Sequence, residues 1–282
     1  MSGLNRWLAE NNFGGIVTTA SLGGGCINQV SRIVVSSGQK FCLKQNSRAP
    51  ADFFAAEATN LRALSGSQCL QVPAVHYVDD RCLLLEYIHP ADQRAKDFWQ
   101  TLAHQLADCH NQTQEKFGFT INNYCGNTAQ HNPQLVDGFE FFATQRLQKQ
   151  SQWARDRRLL SKSHCQQIDQ ICRKLKNLIP PQSAALIHGD LWAGNLHHDE
   201  QGQPVLIDPA SYWGWPEADL AMTQLFGGFA EDFYHCYQEV RALAAGWRER
   251  FGLYNLYHLL NHLNLFGRGY LPSVEAILDK YG

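Results

Sequence analysis

No stretch of this 282-residue chain is long and apolar enough to suggest a bilayer-spanning helix, and the opening segment MSGLNRWLAENNF lacks the apolar core of a signal peptide. The expectation is therefore a cytoplasmic protein with no membrane partner. An excess of basic charge is also missing. The formal net charge is −2 and the isoelectric point is near 6.6, which gives no electrostatic reason to expect nucleic acid as a partner. The nine cysteines are odd in number and contain no C-x-x-C pair, so neither a zinc site nor a secreted disulfide framework fits, and they read as reduced thiols. His258 and His262 stand one helical turn apart, but HLLNH lacks the Glu of a metalloprotease helix; the pair reads as part of an amphipathic helix. Repeats and low-complexity tracts are absent too. With 44% hydrophobic and 18% charged residues disorder is not indicated, and the length allows one large domain or two lobes.

What is present concentrates in residues 186–221, LIHGDLWAGNLHHDEQGQPVLIDPASYWGWPEADLA. Two short apolar runs each lead into an Asp, Asp190 and Asp208, and the turn signal Asp199-Glu200-Gln201-Gly202 folds the segment into a hairpin. Asp190, Asn195 and Asp208 are thereby expected at one edge of a small sheet. Two carboxylates about 5 Å apart repel by roughly 3 kcal/mol at an effective dielectric of ~20, so a cation or a proton between them is expected. Mg²⁺ suits that place, since it takes oxygen ligands and pairs carboxylates with substrate phosphates. An Asp, an Asn five residues on and an Asp thirteen beyond that match the catalytic loop and metal-binding Asp of kinases. In that reading Asn195 and Asp208 hold Mg²⁺ and Asp190 is the catalytic base; an ordinary turn and hairpin is the plain alternative.

Upstream, a short helix is expected at 3–11, β-rich runs at 16–21 and 27–36, a strand at 41–43, a helix from Pro50 to Gly66, and strands at 74–78 and 82–87. From about residue 93 the pattern turns helical, with helices expected at 94–113, 137–155, 161–178, 216–226, 230–249, 252–266 and 272–281. The fold class read from this is α+β: a bilobal, protein-kinase-like fold with a five-stranded antiparallel β N-lobe carrying one helix (1–88, nucleotide-binding) and a mainly helical C-lobe (89–282) with the catalytic loop and acceptor site.

The kinase parts fall in order. Gly23, Gly24 and Gly25 lie between two strands, where backbone N–H groups can approach a phosphate. Lys44 on the next strand and Glu57 on the next helix fit the ion pair that holds ATP phosphates. Glu86, Tyr87 and Ile88 form the expected hinge for adenine. Asp219 is expected to accept N–H groups of the catalytic loop. Ten residues separate Asp208 from Asp219, too few for a protein-kinase activation segment, and Gly189 replaces the Arg that reads its phosphate; a small-molecule acceptor follows. Cys26, beside the phosphate turn, is either a thiol sensitive to oxidation or a plain small turn residue.

HGDLWAGN followed by IDPASYWGWPEADLAMTQLFGGF resembles the fructosamine kinases (ketosamine-3-kinases), relatives of the aminoglycoside phosphotransferases, as do LGGGCIN, LLLEYI and the 116–130 segment. The resemblance covers essentially the whole chain. It implies ATP- and Mg²⁺-dependent transfer of a phosphoryl group to the 3-hydroxyl of a ketosamine, free or on a glycated protein, a deglycation repair. By position it makes Asp190 the base, Asn195 and Asp208 the metal ligands, and Lys44 with Glu57 the phosphate clamp. Ala129 departs from the family, standing where G-x-T-P-Q has Pro. Trp192, Trp213 and Trp215 crowd the expected acceptor side, where a ring can stack on a sugar's C–H face; filling of the lobe interface is the alternative for Trp213 and Trp215. The residue pattern leaves open a kinase for another alcohol (choline, homoserine or an aminoglycoside) or a silent nucleotide-binding module.

Overall fold

The computed structural model describes residues 2–23 and 28–282. Helix α1 (Ser2–Glu10) precedes strands β1 (Ile16–Ser21), β2 (Gln29–Val35) and β3 (Lys40–Gln45); helix α2 (Phe53–Gly66) follows, then β4 (Val75–Val78) and β5 (Cys82–Glu86). The strands form one antiparallel sheet in the order β1-β2-β3-β5-β4. Period-two alternation explains how the sheet is covered on both faces. Ile33, Val35, Phe41, Leu43 and Leu84 pack with Leu4 and Leu8 of α1, whereas Leu83 and Leu85 pack with Phe53, Phe54, Ala58 and Leu61 of α2. The expected single helix of this half is thus α2, and α1 covers the opposite face. Lys44, one residue past Leu43, falls on the α2 side.

The remainder is mainly helical. In chain order it comprises α3 (Phe98–Asn111), β6 (Thr113–Gln114), the hairpin β7 (Asn123–Cys125) and β8 (Thr128–Gln130), α4 (Gly138–Phe141), a π-helical stretch Phe142–Gln148, α5 (Lys149–Asp156) and α6 (Lys162–Leu178). Then come β9 (Ala184–Ile187), a 3₁₀ turn Ala193–Asn195, the hairpin β10 (Leu196–His198) and β11 (Pro204–Leu206), β12 (Tyr212–Gly214), α7 (Pro216–Leu225), α8 (Glu231–Val240), α9 (Phe251–Phe266) and α10 (Leu271–Tyr281). β9 lies between β12 and β6 in a small antiparallel sheet.

Two helical expectations need correction. The helix expected over 230–249 ends at Val240, because Arg241 turns extended and Gly246 takes a left-handed φ of +73°. The stretch is drawn inward by Arg250, whose guanidinium grips buried Glu217 through Nε (2.9 Å) and Nη2 (2.6 Å). The expected 137–155 helix is α-helical at both ends and π-helical between, and the π stretch carries the fully buried Arg146. That cation lies 4.0 Å from the centre of the Tyr212 ring and donates to His131 O and Asn132 Oδ1.

α9 is not amphipathic, as its histidines suggest, but buried on nearly every side, with Tyr254, Leu256, Tyr257, His258, Leu260 and Leu263 all inside the core. His258 is 5% exposed, and burial, with His262 nearby, pushes its pKa down to about 3 from 6.5. The unfolded chain takes up a proton at the ordinary value and the folded chain only well below it. Protonation therefore favours unfolding, and this contribution is lost as pH falls from 6.5 toward 3. Since other groups titrate in the same window, the readout is a difference: going from about pH 7 to about pH 5, wild type should lose about 2 kcal/mol relative to His258→Gln, measured by paired denaturant titrations.

Candidate active site

β9 ends at Ile187, and the chain turns sharply through His188 and Gly189. The turn is held from below by Asp219 in the first turns of α7, whose carboxylate accepts from His188 N (2.7 Å) and Gly189 N (2.8 Å). Burial works against that charge, yet the hydrogen bond from His110 and the backbone donors keep Asp219 below the usual carboxylate range. Gly189 has φ +81°, and a Cβ there would fall 2.2 Å from Ala210 O; a side chain cannot enter without moving the segment that follows Asp208. His188 Nδ1 accepts from Asp190 N, so Nε2 carries the proton given to Ile207 O at 3.0 Å. The neutral imidazole thus ties the two Asp-bearing segments together.

Asn195 closes this turn. Its Nδ2 donates to Asp190 O (2.9 Å) and Asp190 Oδ2 (3.2 Å), leaving its Oδ1 as a free acceptor among the described residues. Asp208 has a left-handed φ of +55°, uncommon for a residue with a side chain and found where geometry outweighs backbone preference. Burial, with the charge of Asp208 adding to it, pushes the Asp190 carboxyl up to about 7.

Lys44 reaches this group from the sheet. Its Nζ pairs with Glu57 on α2 and with Asp208 on the other lobe. Burial alone would lower the Lys44 pKa, but Asp208 and Glu57 hold it above the ordinary lysine range; burial raises Glu57 against the pull of Lys44. The Asp208 side chain is 46% exposed, so it still faces the cleft. Asn195 Oδ1 and the Asp208 carboxylate are oxygen donors of the kind Mg²⁺ takes, and the residues present fit that ion.

The cleft is a cavity of about 430 Å³ lined by Val30, Glu57, Asp190, Asn195 and Asp208 together with Trp192 and the 124–126 tip of the β7–β8 hairpin. Trp192 lies flat over Gly194, where a Cβ would come within 2.3 Å of the indole, and meets Phe226 edge-on at 6.1 Å. Phe226, His262 and Tyr270 continue an aromatic wall, with Phe226 and His262 at 4.7 Å and His262 and Tyr270 at 5.1 Å.

Two tryptophans expected at the acceptor side are elsewhere. Trp215 is 3% exposed and packs against Phe117, Phe139, Phe142 and Tyr254 in the C-lobe core. Trp213 lies opposite Leu186 in the β12–β9 pair, exchanges backbone hydrogen bonds with Gly118 and packs against the same core. Trp213 belongs to the small sheet and Trp215 caps α7 just after it, and neither lines the cleft. Of the hinge residues, Glu86 ends β5 and its carboxylate accepts from Ala74 N, while Tyr87 lies under the Arg32 guanidinium and beside His89; these two side chains line a shallow recess outside the cleft. Ile88 is half-buried where the chain leaves the sheet. Gly23 is exposed, with open space around it. Gly24, Gly25 and Cys26 lie outside the described residues. Ala129 is exposed on β8 opposite Tyr124, and the hairpin pairs in full with Ala in place of Pro.

The residue pattern missed a set of buried amides. Asn60 of α2 donates to Pro209 O (2.8 Å), Gln130 to Ala210 O (3.0 Å) and Asn123 to Ser211 O (2.7 Å). Three successive carbonyls after Asp208 are thus each held by a side-chain amide. Asn123 also donates to Asn60 Oδ1, and Tyr257 of α9 donates to Gln130 Oε1. The 122–130 segment carried the one available signal, a polar run among family motifs. The aromatic wall had a second: His262, Phe266 and Tyr270 recur at a spacing of four.

This geometry agrees with what the chain is similar to. The family model described as fructosamine kinase matches residues 4–281. A protein of Enterococcus faecium named as a probable ketoamine kinase is 36% identical over 264 residues, covering 92% of this chain and 93% of its own. A chloroplastic protein-ribulosamine 3-kinase of Arabidopsis thaliana is 35% identical over 290 residues, covering 99% and 87%. A solved structure from Thermobifida fusca, assigned as a fructosamine-3-kinase, superimposes with a TM-score of 0.87 at 33% identity over 97% of this chain and 96% of that one. A choline kinase from Streptococcus pneumoniae shares the fold alone, with a TM-score of 0.68 at 16% identity over 99% of both chains. The two lobes are those of the protein-kinase-like fold, and the chain is a phosphotransferase that belongs to the fructosamine kinase family.

Proposed function

We infer that this enzyme transfers the γ-phosphoryl group of ATP to the 3-hydroxyl of ketosamines, the fructosyl or ribulosyl adducts of amines and of protein lysines. One observation carries the reading: Lys44 of β3 pairs with Glu57 of α2 and with Asp208 of the helical lobe, and Glu57 and Asp208 share the wall of one cavity with Asp190 and Asn195. Phosphoryl transfer asks the protein chiefly to position reactants and neutralise charge, and these residues suit both tasks. Lys44 supplies a fixed cation for the phosphates, held upright by Glu57. Asn195 and Asp208 would hold Mg²⁺, which would supply neutralising charge for the phosphates. Asp190 orients the acceptor hydroxyl for in-line attack. As the hydroxyl oxygen bonds to phosphorus and the bond to ADP breaks, the hydroxyl proton passes to the Asp190 carboxylate. Trp192 offers a face to the apolar side of the sugar, next to the base. The 3-kinase activity named for the ribulosamine kinase relative supports the hydroxyl assigned here. Phosphorylation at that carbon labilises the adduct, so we assign the chain to deglycation. Eight free thiols among the described residues fit a reducing compartment, and we place it in the cytoplasm.

Fructosyl-lysine and ribulosyl-lysine, offered beside choline, homoserine and an aminoglycoside, should alone drive ATP consumption, with the phosphate located on carbon 3 by NMR. Turnover of one of the other alcohols and none of the ketosamines overturns the reading. Asp190→Ala should lower kcat roughly 10²–10⁴-fold while MgATP binding, followed by fluorescence titration, stays near that of wild type. In the same titration Asp208→Ala should lose metal-dependent nucleotide affinity as well. Trp192→Ala should raise the ketosamine KM about tenfold, the loss of ~1.4 kcal/mol of contact, with the KM for ATP unchanged in steady-state kinetics.

A further inference from the structure

Under the cleft, β7 and α9 bring together three side chains of different chemistry. Cys125 Sγ, one ring nitrogen of His258 and a carboxylate oxygen of Asp190 lie within 4.8 Å of one another. Cys125 and His258 are 2% and 5% exposed, and Cys125 and Asp190 both line the cavity, which gives an ion a route in. His258 Nδ1 is buried without a hydrogen-bond partner among the described residues, a cost that native structures rarely leave unexplained. Cys125 Sγ has a weak contact from Asn261 Nδ2 at 3.4 Å. The phosphoryl transfer described above uses neither Cys125 nor His258.

Thiolate, imidazole and carboxylate are the donors of three-ligand zinc sites, with a fourth position left for water. Ligand atoms around tetrahedral Zn²⁺ sit about 3.3–3.8 Å apart, so a cluster already within 4.8 Å has to close by at most about 1–1.5 Å. Mg²⁺ prefers oxygen throughout and gains little from sulfur or nitrogen. We propose that Cys125, His258 and Asp190 form an inhibitory site for Zn²⁺, distinct from the Mg²⁺ ligands Asn195 and Asp208. Binding forms Zn–S, Zn–N and Zn–O bonds, and the Cys125 thiol proton leaves to solvent; nothing is oxidised or reduced. The ion takes the carboxylate that would meet the acceptor hydroxyl. Inhibition is therefore competitive with the sugar and not with MgATP. The inhibitory half rests on Asp190 as the base; the binding half does not.

Zinc binding is read first, without substrates, by competition with a chromophoric chelator in saturating Mg²⁺. Wild type should bind one Zn²⁺ per chain, and Cys125→Ser and His258→Gln should each weaken binding at least about tenfold, since loss of even an outer partner of a ligand costs that much. Co²⁺ in place of Zn²⁺ should give a thiolate charge-transfer band in wild type and none in Cys125→Ser, which keeps the test decisive if His258→Gln does not fold. Kinase inhibition, scored for each variant against its own zinc-free rate, should track binding. The other cluster of this kind among the described residues is His104, Cys236 and Glu239, at the surface, with His104 already paired to Glu239 at 3.2 Å; Cys236→Ser should bind zinc as wild type does. The proposal is overturned if wild type binds no zinc in this assay, if Cys125→Ser binds it equally, if Cys236→Ser abolishes binding, or if inhibition competes with MgATP. Zinc binding lost in the Cys125 and His258 variants of a protein that phosphorylates no ketosamine would leave the metal site standing and overturn the substrate reading instead.

Discussion

An ammonium group removed from water must be matched or lose its proton, and Lys44 is matched from two directions. Glu57 approaches it from α2 in its own lobe, and Asp208 approaches from the other. This contact sets requirements on everything around it. The register of β3 must turn Lys44 toward α2 rather than α1, which the alternation of Phe41 and Leu43 onto the opposite face ensures. Asp208 must hold a left-handed backbone, and it does so because the three carbonyls beyond it are held in place by amides from α2, β7 and β8. One of those amides belongs to the sheet-bearing lobe, so α2 grips the other lobe twice: once by charge through Glu57 and Lys44, once by a neutral hydrogen bond through Asn60.

Much of this was legible beforehand because its signals are local. The spacing of Asp190, Asn195 and Asp208 survives as a linear motif since one turn and one hairpin contain all three. The order of Lys44 and Glu57 follows from the consecutive elements β3 and α2, and Asp219 sits where a following helix must begin. The inner strands were readable because β2, β3 and β5 each turn a row of apolar residues toward α1 or α2. What could not be read lacks a local signature. Asn60, Asn123 and Gln130 are neutral, carry no period, and meet Pro209, Ser211 and Ala210 across 149, 88 and 80 residues of chain. α9 looked two-sided because its polar residues fall at helical intervals, yet hydropathy cannot tell a histidine facing solvent from one facing a cavity or a core. The three tryptophans carried equal weight in the motif; tertiary packing left Trp192 in the cleft and placed Trp213 and Trp215 against the core.

α9 joins two tasks that are often separated. Its Tyr257 and His258 lie within the core, its Asn261, His262 and Phe266 line the cleft, and Tyr254 on an earlier turn donates to Glu217, the partner of Arg250. Substitutions in the aromatic wall of the cleft therefore act on the same helix that supports the lobe, and cleft shape and stability are not independently adjustable there.

The turn at Gly189 carries a historical consequence. Protein kinases place at the corresponding position an arginine that senses phosphate on a distant loop. Here the space for even a single carbon is occupied by the carbonyl of Ala210, two residues beyond Asp208. A lineage built on this scaffold cannot acquire that sensor by one codon change without first loosening the segment behind Asp208, so control by covalent marking of a neighbouring loop is barred along that route and has to be gained at some other address on the molecule.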